Sequence, residues 1–251
     1  MEEEKKEIIL GLDISTKTIG CCLLLNDGSK YGKIIELTHV SPKVSKKTDK
    51  TQSLFEKTEI FRNEFLIKYK NLGISKVVIE SPLLTSNNSV TCGELLKFNG
   101  MISLAVYEEL NVVPSYITSY EARKYSFPEL MSIRKFGKDG ENYKREKILS
   151  AVKNNKFVLF GSFPWDVDKK SVLQSNVAEI FPNIEWIYNK KGELSEENFD
   201  AVDSYVACYG QMNKEKNGEL DLKSSNVVDN GDSITYDLNY WNETKQITIK
   251  I

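Results

Sequence analysis

The sequence predicts an α/β fold in which a mixed central β-sheet is buried between helices, and three observations predict it. Apolar runs Ile8 to Leu12 and Ile19 to Leu25 flank a short polar turn, the pattern of a buried strand, a tight connection and a second strand. A helical stretch from Ser53 to Asn71 then leads to the β-branched run Lys76-Val77-Val78-Ile79-Glu80, which stops at Ser81-Pro82; strand, helical connection and strand follow one another as in a βαβ unit. Both strands end on an acid, Asp13 and Glu80, at the carboxyl edge where open α/β sheets carry their sites.

The elements follow in order. Tyr31 to Val40 reads as a third strand, and the basic segment Lys43 to Lys50 as a loop. In the helix from Ser53, residues Leu54, Phe55, Ile60, Phe61, Phe65, Leu66 and Tyr69 recur at helical spacing, and Leu72-Gly73 ends it. After a polar loop from Leu83 to Thr91, a second helix runs from Cys92 to Leu110, then a strand from Val112 to Ile117 and a short helix capped by Ser119 with Glu121 in its first turn. Arg134 to Lys147 is the most basic stretch and leads into a helix through about Asn154. Phe157 to Trp186 has aromatics, two prolines and no clean period, so it reads as an insertion. A last helix, with Ser195 as N-cap, carries Phe199 to Gly210. Beyond Lys214 the composition turns to Asn, Asp, Ser and Gly, and strands near Ser233 to Tyr240 and Lys245 to Ile251 form a hairpin. The expected organisation is therefore a main domain over 1–214, with the insertion near 157–186, and a β extension over 215–251.

Composition narrows the chemistry. The 34 basic and 36 acidic residues leave a net charge of −2, which by itself neither favours nor excludes a nucleic-acid partner, because clustering decides that. Four cysteines without C-x-x-C spacing read as small buried hydrophobes in a reducing compartment. The single histidine, His39, argues against multi-histidine metal sites and a Ser-His-Asp triad, so any acid, base or metal chemistry falls to carboxylates. No apolar stretch approaches the length of a membrane span, and the charged start Met1 to Glu7 reads as a cytosolic N-terminus. A cytoplasmic protein with no membrane partner is expected.

Asp200 and Asp203, three residues apart on a helix, project from one face and can share a cation. Taken singly, each acid has a structural explanation: Asp200 complements a helix dipole, Asp203 is exposed, Glu80 caps a turn, and Asp13 accepts backbone amides beside Ser15 and Thr16. Taken together, Asp13, Glu80, Asp200 and Asp203 make a four-carboxylate cluster that repels itself unless divalent cations neutralise it. Oxygen-only ligation selects Mg²⁺ or Mn²⁺, and two such ions about 4 Å apart serve phosphodiester hydrolysis.

The order and context of these motifs resemble the RuvC-type Holliday junction resolvases of the RNase H-like superfamily. The resemblance rests on ILGLDISTKTIG in the first strand, KVVIESP in a later strand and FDAVDSYVACYG in the last helix. CGELLKFNGMISLAVYEEL and PSYITSYEARKYSF followed by GENYKREKILSAV lie between them, so that residues 7 to 212 are covered motif by motif. It implies an RNase H-like sheet, with Asp13 as the ligand shared by two metals and Glu80, Asp200 and Asp203 as the other ligands. It also implies lysines near the scissile phosphate, in the region of Lys144, Arg145 and Lys147, with the turn through Ser15 and Thr16 bordering the DNA. A homodimer cutting a four-way junction is the implied assembly. The chain departs from the pattern in its length, its slight acidity and Leu83-Leu84-Thr85, where relatives can carry an aromatic. The Lys-, Asn- and Ile-rich composition suits a phage or viral enzyme, which would place it in the host cytoplasm or a viral factory. Three rivals stay open: a nuclease of the same fold on RNA–DNA hybrids, flaps or RNA; a non-catalytic binding module; and an actin-like ATPase or sugar kinase. The last needs a second phosphate loop, and the sequence has no second Asp-x-Gly-x-Gly, Asn230-Gly231-Asp232 lying in the wrong place, so no nucleotide cofactor is expected.

Overall fold

Alternation along the first strand decides how the molecule is layered. In the computed structural model, which describes residues 6–82, 89–130, 145–157 and 168–251, β1 spans Glu7–Ile14 and sends Leu10, Leu12 and Ile14 to one face and Ile9 to the other. Next come β2 (Ile19–Asn26), β3 (Lys33–Val40), α1 (Lys50–Phe61), a π turn at Arg62–Leu66 and a single turn α2 (Ile67–Tyr69). The chain continues through β4 (Ile74–Glu80), α3 (Ser89–Leu110), β5 (Ser115–Ile117), α4 (Ser119–Ser126), α5 (Arg145–Lys153), α6 (Lys169–Ile180) and α7 (Glu197–Asn217).

The five strands lie in the order β3-β2-β1-β4-β5, with β2 antiparallel to β1 and β3, and with β4 and β5 parallel to β1. Three antiparallel strands continued by two parallel ones, with helices on both faces, are the RNase H-like arrangement. On one face Leu10, Leu12 and Leu23 pack with Phe61 and Phe65 near the end of α1 and Phe98, Ile102 and Val106 of α3. On the other, Ile9, Cys22, Leu24, Val78 and Ile117 pack against Val202, Tyr205 and Val206 of α7, with Ala122 of α4 and Leu173 and Val177 of α6. Burial of both faces explains why β1 and β2 read as near-continuous apolar runs.

Several boundaries differ from the sequence reading. The first helix starts earlier, where Asp49 accepts from the amides of Thr51 and Gln52. The strand expected from Val112 is confined to Ser115–Ile117. The cap of α4 is Thr118, whose hydroxyl accepts from the Glu121 amide while the Glu121 carboxylate reaches back, a capping box. At the start of α7 the N-cap position is Glu196, and the Ser195 hydroxyl bonds the Glu197 carboxylate. Within the stretch that lacked a period, α6 starts at an Asp168 cap and runs for 12 residues.

The hairpin expected at the C-terminal end is present, and a third strand is added to it. β6 (Lys223–Asp229), β7 (Ser233–Tyr240) and β8 (Glu243–Lys250) form a three-stranded antiparallel sheet, and α7 itself continues to Asn217. β7 alternates Ile234, Tyr236, Leu238 and Tyr240 inward onto Tyr125, Ile148 and Val152. β6, with the sequence Lys-Ser-Ser-Asn-Val-Val-Asp, is largely exposed, which is why no apolar alternation marks it in the sequence.

Candidate functional site

The strand register sets two of the four acids side by side. Leu12 of β1 is paired with Ile79 of β4, so Asp13 and Glu80, one residue further along parallel neighbours, lie at the same end of the sheet. They share a face with Ile9 and Val78, the face covered by α7. That helix is pressed onto the strands at two glycines. A Cβ on Gly11 would stand 2.1 Å from the Ser204 carbonyl oxygen, and one on Gly20, the partner of Asp13 across β1 and β2, 2.0 Å from the Asp200 carbonyl oxygen. The close approach brings the first turns of α7, with Asp200 and the 4% exposed Asp203, over the strand ends.

The electrostatics show that the four acids act on one another. Burial, and then the charges of Glu80, Asp203 and Asp200, hold the Asp13 carboxyl well above the usual carboxylate range. Glu80 is pushed up to about 7 by burial and by Asp203, against the pull of Arg123, Lys169 and Lys170. Burial also raises Asp200, with Asp203 adding to it and Lys170 opposing. Glu80 Oε2 is buried and has no hydrogen-bond partner among the described residues.

Three cations that the sequence reading did not single out stand among the acids. Arg123 Nη2 donates to Asp203 Oδ1 at 3.4 Å in a fully buried pair, and Lys170 Nζ lies 3.6 Å from Asp200 Oδ1. Lys169 is lowered from the ordinary lysine range by burial and the Arg123 charge, with Asp203 and Glu80 opposing. Arg123 is delivered by α4, which is held on α7 by the Ser126 hydroxyl donating to the Val206 carbonyl at 2.7 Å and by the contact of Gly210 with Ala122. Lys169 and Lys170 open α6, whose Leu173 and Val177 bury in the core beside α7. The signal for the lysine pair was present as an Asp168 cap followed by Leu173, Val177 and Ile180 at helical spacing. Nothing local marked Arg123.

Among the described residues, no three His, Cys, Asp or Glu side chains form a ready-made metal shell. The donor set would nonetheless fit a hard divalent cation: carboxylates alone, mutually repelling, with one buried oxygen that has no partner among the described residues.

The remaining sequence-predicted residues divide. Ser15 lines a cavity that includes Asp200, and its hydroxyl donates to the Thr18 carbonyl and accepts from the Thr18 amide, both at 2.9 Å, which fixes the turn. The carbonyl of Thr16 accepts from Lys57 Nζ at 2.6 Å. Arg145 is engaged elsewhere, 3.3 Å from Asp229 of β6, so its charge ties α5 to the C-terminal sheet. Lys147 is exposed on α5. Lys144 and the Leu83-Leu84-Thr85 stretch lie outside the described residues. A larger cavity of about 870 Å³ lies between β3 and residues 180–187 and is lined by none of the four acids.

No described helix is long and apolar enough to cross a membrane. No protein-family model and no curated protein matches the sequence. Among solved structures, the chain is similar to RuvC of Thermus thermophilus at 11% identity and a TM-score of 0.48, over 83% of this chain and 95% of that one. It is also similar to the same organism's RuvC in complex with Holliday junction substrate, at 10% identity and a TM-score of 0.48, over 82% and 96%. A Ppx/GppA family member of Aquifex aeolicus shares 10% identity at a TM-score of 0.34, over 98% of this chain but 52% of its own. At these identities the likeness concerns the fold alone and assigns no residue a role.

Proposed function

We propose that the protein is a divalent-metal-dependent endonuclease that cuts branched DNA, with four-way junctions as its preferred substrate. The observation that supports the reading is that Asp13, Glu80, Asp200 and Asp203, from two strand ends and one helix, lie near enough to act on one another, with Asp13, Glu80 and Asp200 raised first by burial and then by acidic neighbours. These four side chains would hold two Mg²⁺ or Mn²⁺ ions. When bound, the ions supply Lewis-acid stabilisation of the phosphoryl oxygens and acidity for the attacking water. The chain's own part is to fix the carboxylates on rigid elements and to keep the scissile phosphate in register with them. Arg123 orients Asp203 from the buried side, and Lys169 and Lys170 place cationic charge where a phosphate would meet the acids. A phage or viral source belongs to the same proposal and rests on composition.

The test is cleavage of a labelled four-way junction beside linear duplex, flap, RNA–DNA hybrid and ATP, with Mg²⁺ or EDTA. Junction cutting that is abolished by EDTA and much weaker on linear duplex is the expected result. ATP turnover without cleavage overturns it in favour of the kinase-like rival, and preferential cutting of the hybrid moves the substrate to RNA–DNA.

A homodimer is part of the proposal. Support comes from α3, where Leu96, Leu104 and Tyr107 are 47%, 57% and 48% exposed along one helix face, and a Cβ on Gly100 of that face would meet open space. A two-fold axis across this face buries the stripe against its own copy. Leu104→Asp is expected to convert a dimer to a folded monomer in sedimentation experiments and to uncouple the two incisions of a junction. A wild-type monomer, or a variant that stays dimeric, counts against this face.

A further inference from the structure

The cavity of about 870 Å³ runs along an open edge of the main sheet. β3 is the outermost strand in the order β3-β2-β1-β4-β5, and among the described residues no main-chain hydrogen bond reaches it from any element but β2. An edge strand turns every second N–H and C=O outward, which makes it a template for one more strand. Pairing with β2 is regular from Glu36 to Val40; Ile35, 39% exposed, is the unpaired residue of a bulge. Beside this edge lies a preformed apolar wall. Ile34 and Leu37 of β3 are only partly buried, and Phe181, Ile184 and Trp186 stand next to them along the cavity. The wall is pinned to α7 by Asn198, which accepts from the Ile187 amide at 3.0 Å and donates to the Ile187 carbonyl at 2.6 Å, and by Phe181 packing edge-on against Tyr205 at 5.4 Å.

The charge of the groove decides what fits it. Asp27, Glu36, Glu185 and Glu197 line it, against Lys33 and His39. Lys68 and Tyr69 act on Glu36, whereas Asp27 and Glu197 are held by the neutral hydroxyls of Ser29 and Ser195, which leave their charge in place. The surface is therefore acidic, so it repels a nucleic-acid backbone and attracts cationic side chains. It also disfavours a second copy of the chain, because a two-fold axis across β3 sets these carboxylates against their own duplicates. We infer that the groove is a docking site for an extended segment of a partner protein, which adds a strand to β3, lays alternate apolar side chains on the wall of Phe181, Ile184 and Trp186, and meets the acids with Lys or Arg. Main-chain bonds to the edge supply affinity and the wall supplies selectivity. Because none of Asp13, Glu80, Asp200 and Asp203 lines the groove, the occupant tethers a partner without covering them. The inference stands apart from the nuclease reading.

The experiment selects randomised octapeptides on the full chain and measures the enriched ones by fluorescence anisotropy. Enriched peptides are expected to alternate apolar with other side chains and to carry Lys or Arg. Trp186→Ala should weaken their binding about ten-fold or more, and Glu185→Lys about three- to ten-fold with a shallower salt dependence. N-methylation of alternate peptide residues should abolish binding in one set and spare it in the other, since only every second residue of an added strand bonds the edge. Should Trp186→Ala fail to fold, Ile35→Lys takes its place with the same expected loss. No enrichment, enrichment of acidic or helix-patterned peptides, binding unmoved by the folded variants, or N-methylation equally damaging at every position overturns the proposal. Sedimentation settles the rival occupant: a dimer dissolved by Ile35→Lys but not by Leu104→Asp means that the edge pairs with its own copy, and the partner segment is rejected. Junction cleavage enters none of these readouts, so failure here leaves the nuclease reading untouched.

Discussion

Asp13→Asn and Glu80→Gln, made singly, should abolish Mg²⁺-dependent cleavage and yet raise the melting temperature of the protein in EDTA at pH 8. The loss of activity follows from removing a metal ligand, which on the proposed mechanism forfeits several kcal/mol of transition-state stabilisation, roughly a thousand-fold or more in rate. The gain in stability follows from the site's self-repulsion. The Glu80 carboxyl titrates at about 7 in the fold against an ordinary 4.5, so the folded protein holds this proton more tightly than the unfolded chain. Its contribution to stability is fully present below pH 4.5 and is lost as the pH rises through 7. At pH 8 the buried charge destabilises the fold by up to about 3 kcal/mol, a net figure that already includes the attraction of Arg123, Lys169 and Lys170. Asp13, also raised, works in the same direction. Thermal melts from pH 5 to 8.5 check this. The amides should gain several degrees over wild type at high pH, with the gap closing towards pH 5, while added Mg²⁺ should stabilise wild type more than either amide. Amide variants that melt below wild type at pH 8 would mean that the acids are stabilised by partners and are not a cation-demanding cluster.

Gly11→Ala and Gly20→Ala should each destabilise the protein by about 3 kcal/mol or more, lowering the melting temperature by roughly 6–12 °C. In both cases the new methyl group meets backbone: the Ser204 carbonyl oxygen at 2.1 Å for Gly11 and the Asp200 carbonyl oxygen at 2.0 Å for Gly20. A carbonyl within a helix cannot swing aside, so α7 as a whole must lift from the sheet. Gly20→Ala should be the worse for activity, since the turn that it displaces carries Asp200. Gly73→Ala is the control. Gly73 sits at φ +79° with open space around it, so the substitution meets only backbone strain, about 1–2 kcal/mol, with cleavage retained. Circular-dichroism melts with junction cleavage at a permissive temperature read both effects; a Gly20→Ala protein of wild-type stability and activity would refute the close packing.

The four acids were legible in the sequence because each is marked by a local pattern. Asp13 and Glu80 terminate apolar strands, and Asp200 and Asp203 sit one helical turn apart, with strand and helix periods fixed by backbone geometry alone. The mixed sheet was legible for the same reason, through two apolar runs, a helix and a β-branched run in succession. Where burial gives no pattern, the sequence was silent or misleading: β6 is an exposed polar strand, and the basic residue Arg145 that looked ready for phosphate pairs with Asp229. Only the tertiary structure decided which cations face the acids. Arg123 and Asp203 are 80 residues apart, and Lys170 reaches Asp200 because α6 packs its Leu173 and Val177 against the same core as α7. Such pairings depend on how closely two elements approach, and that distance is set by side chains that are missing, at Gly11 and Gly20, as much as by those that are present. A period along the chain cannot encode a contact across it, which is why the acids could be read from the sequence while the cations among them waited for the fold.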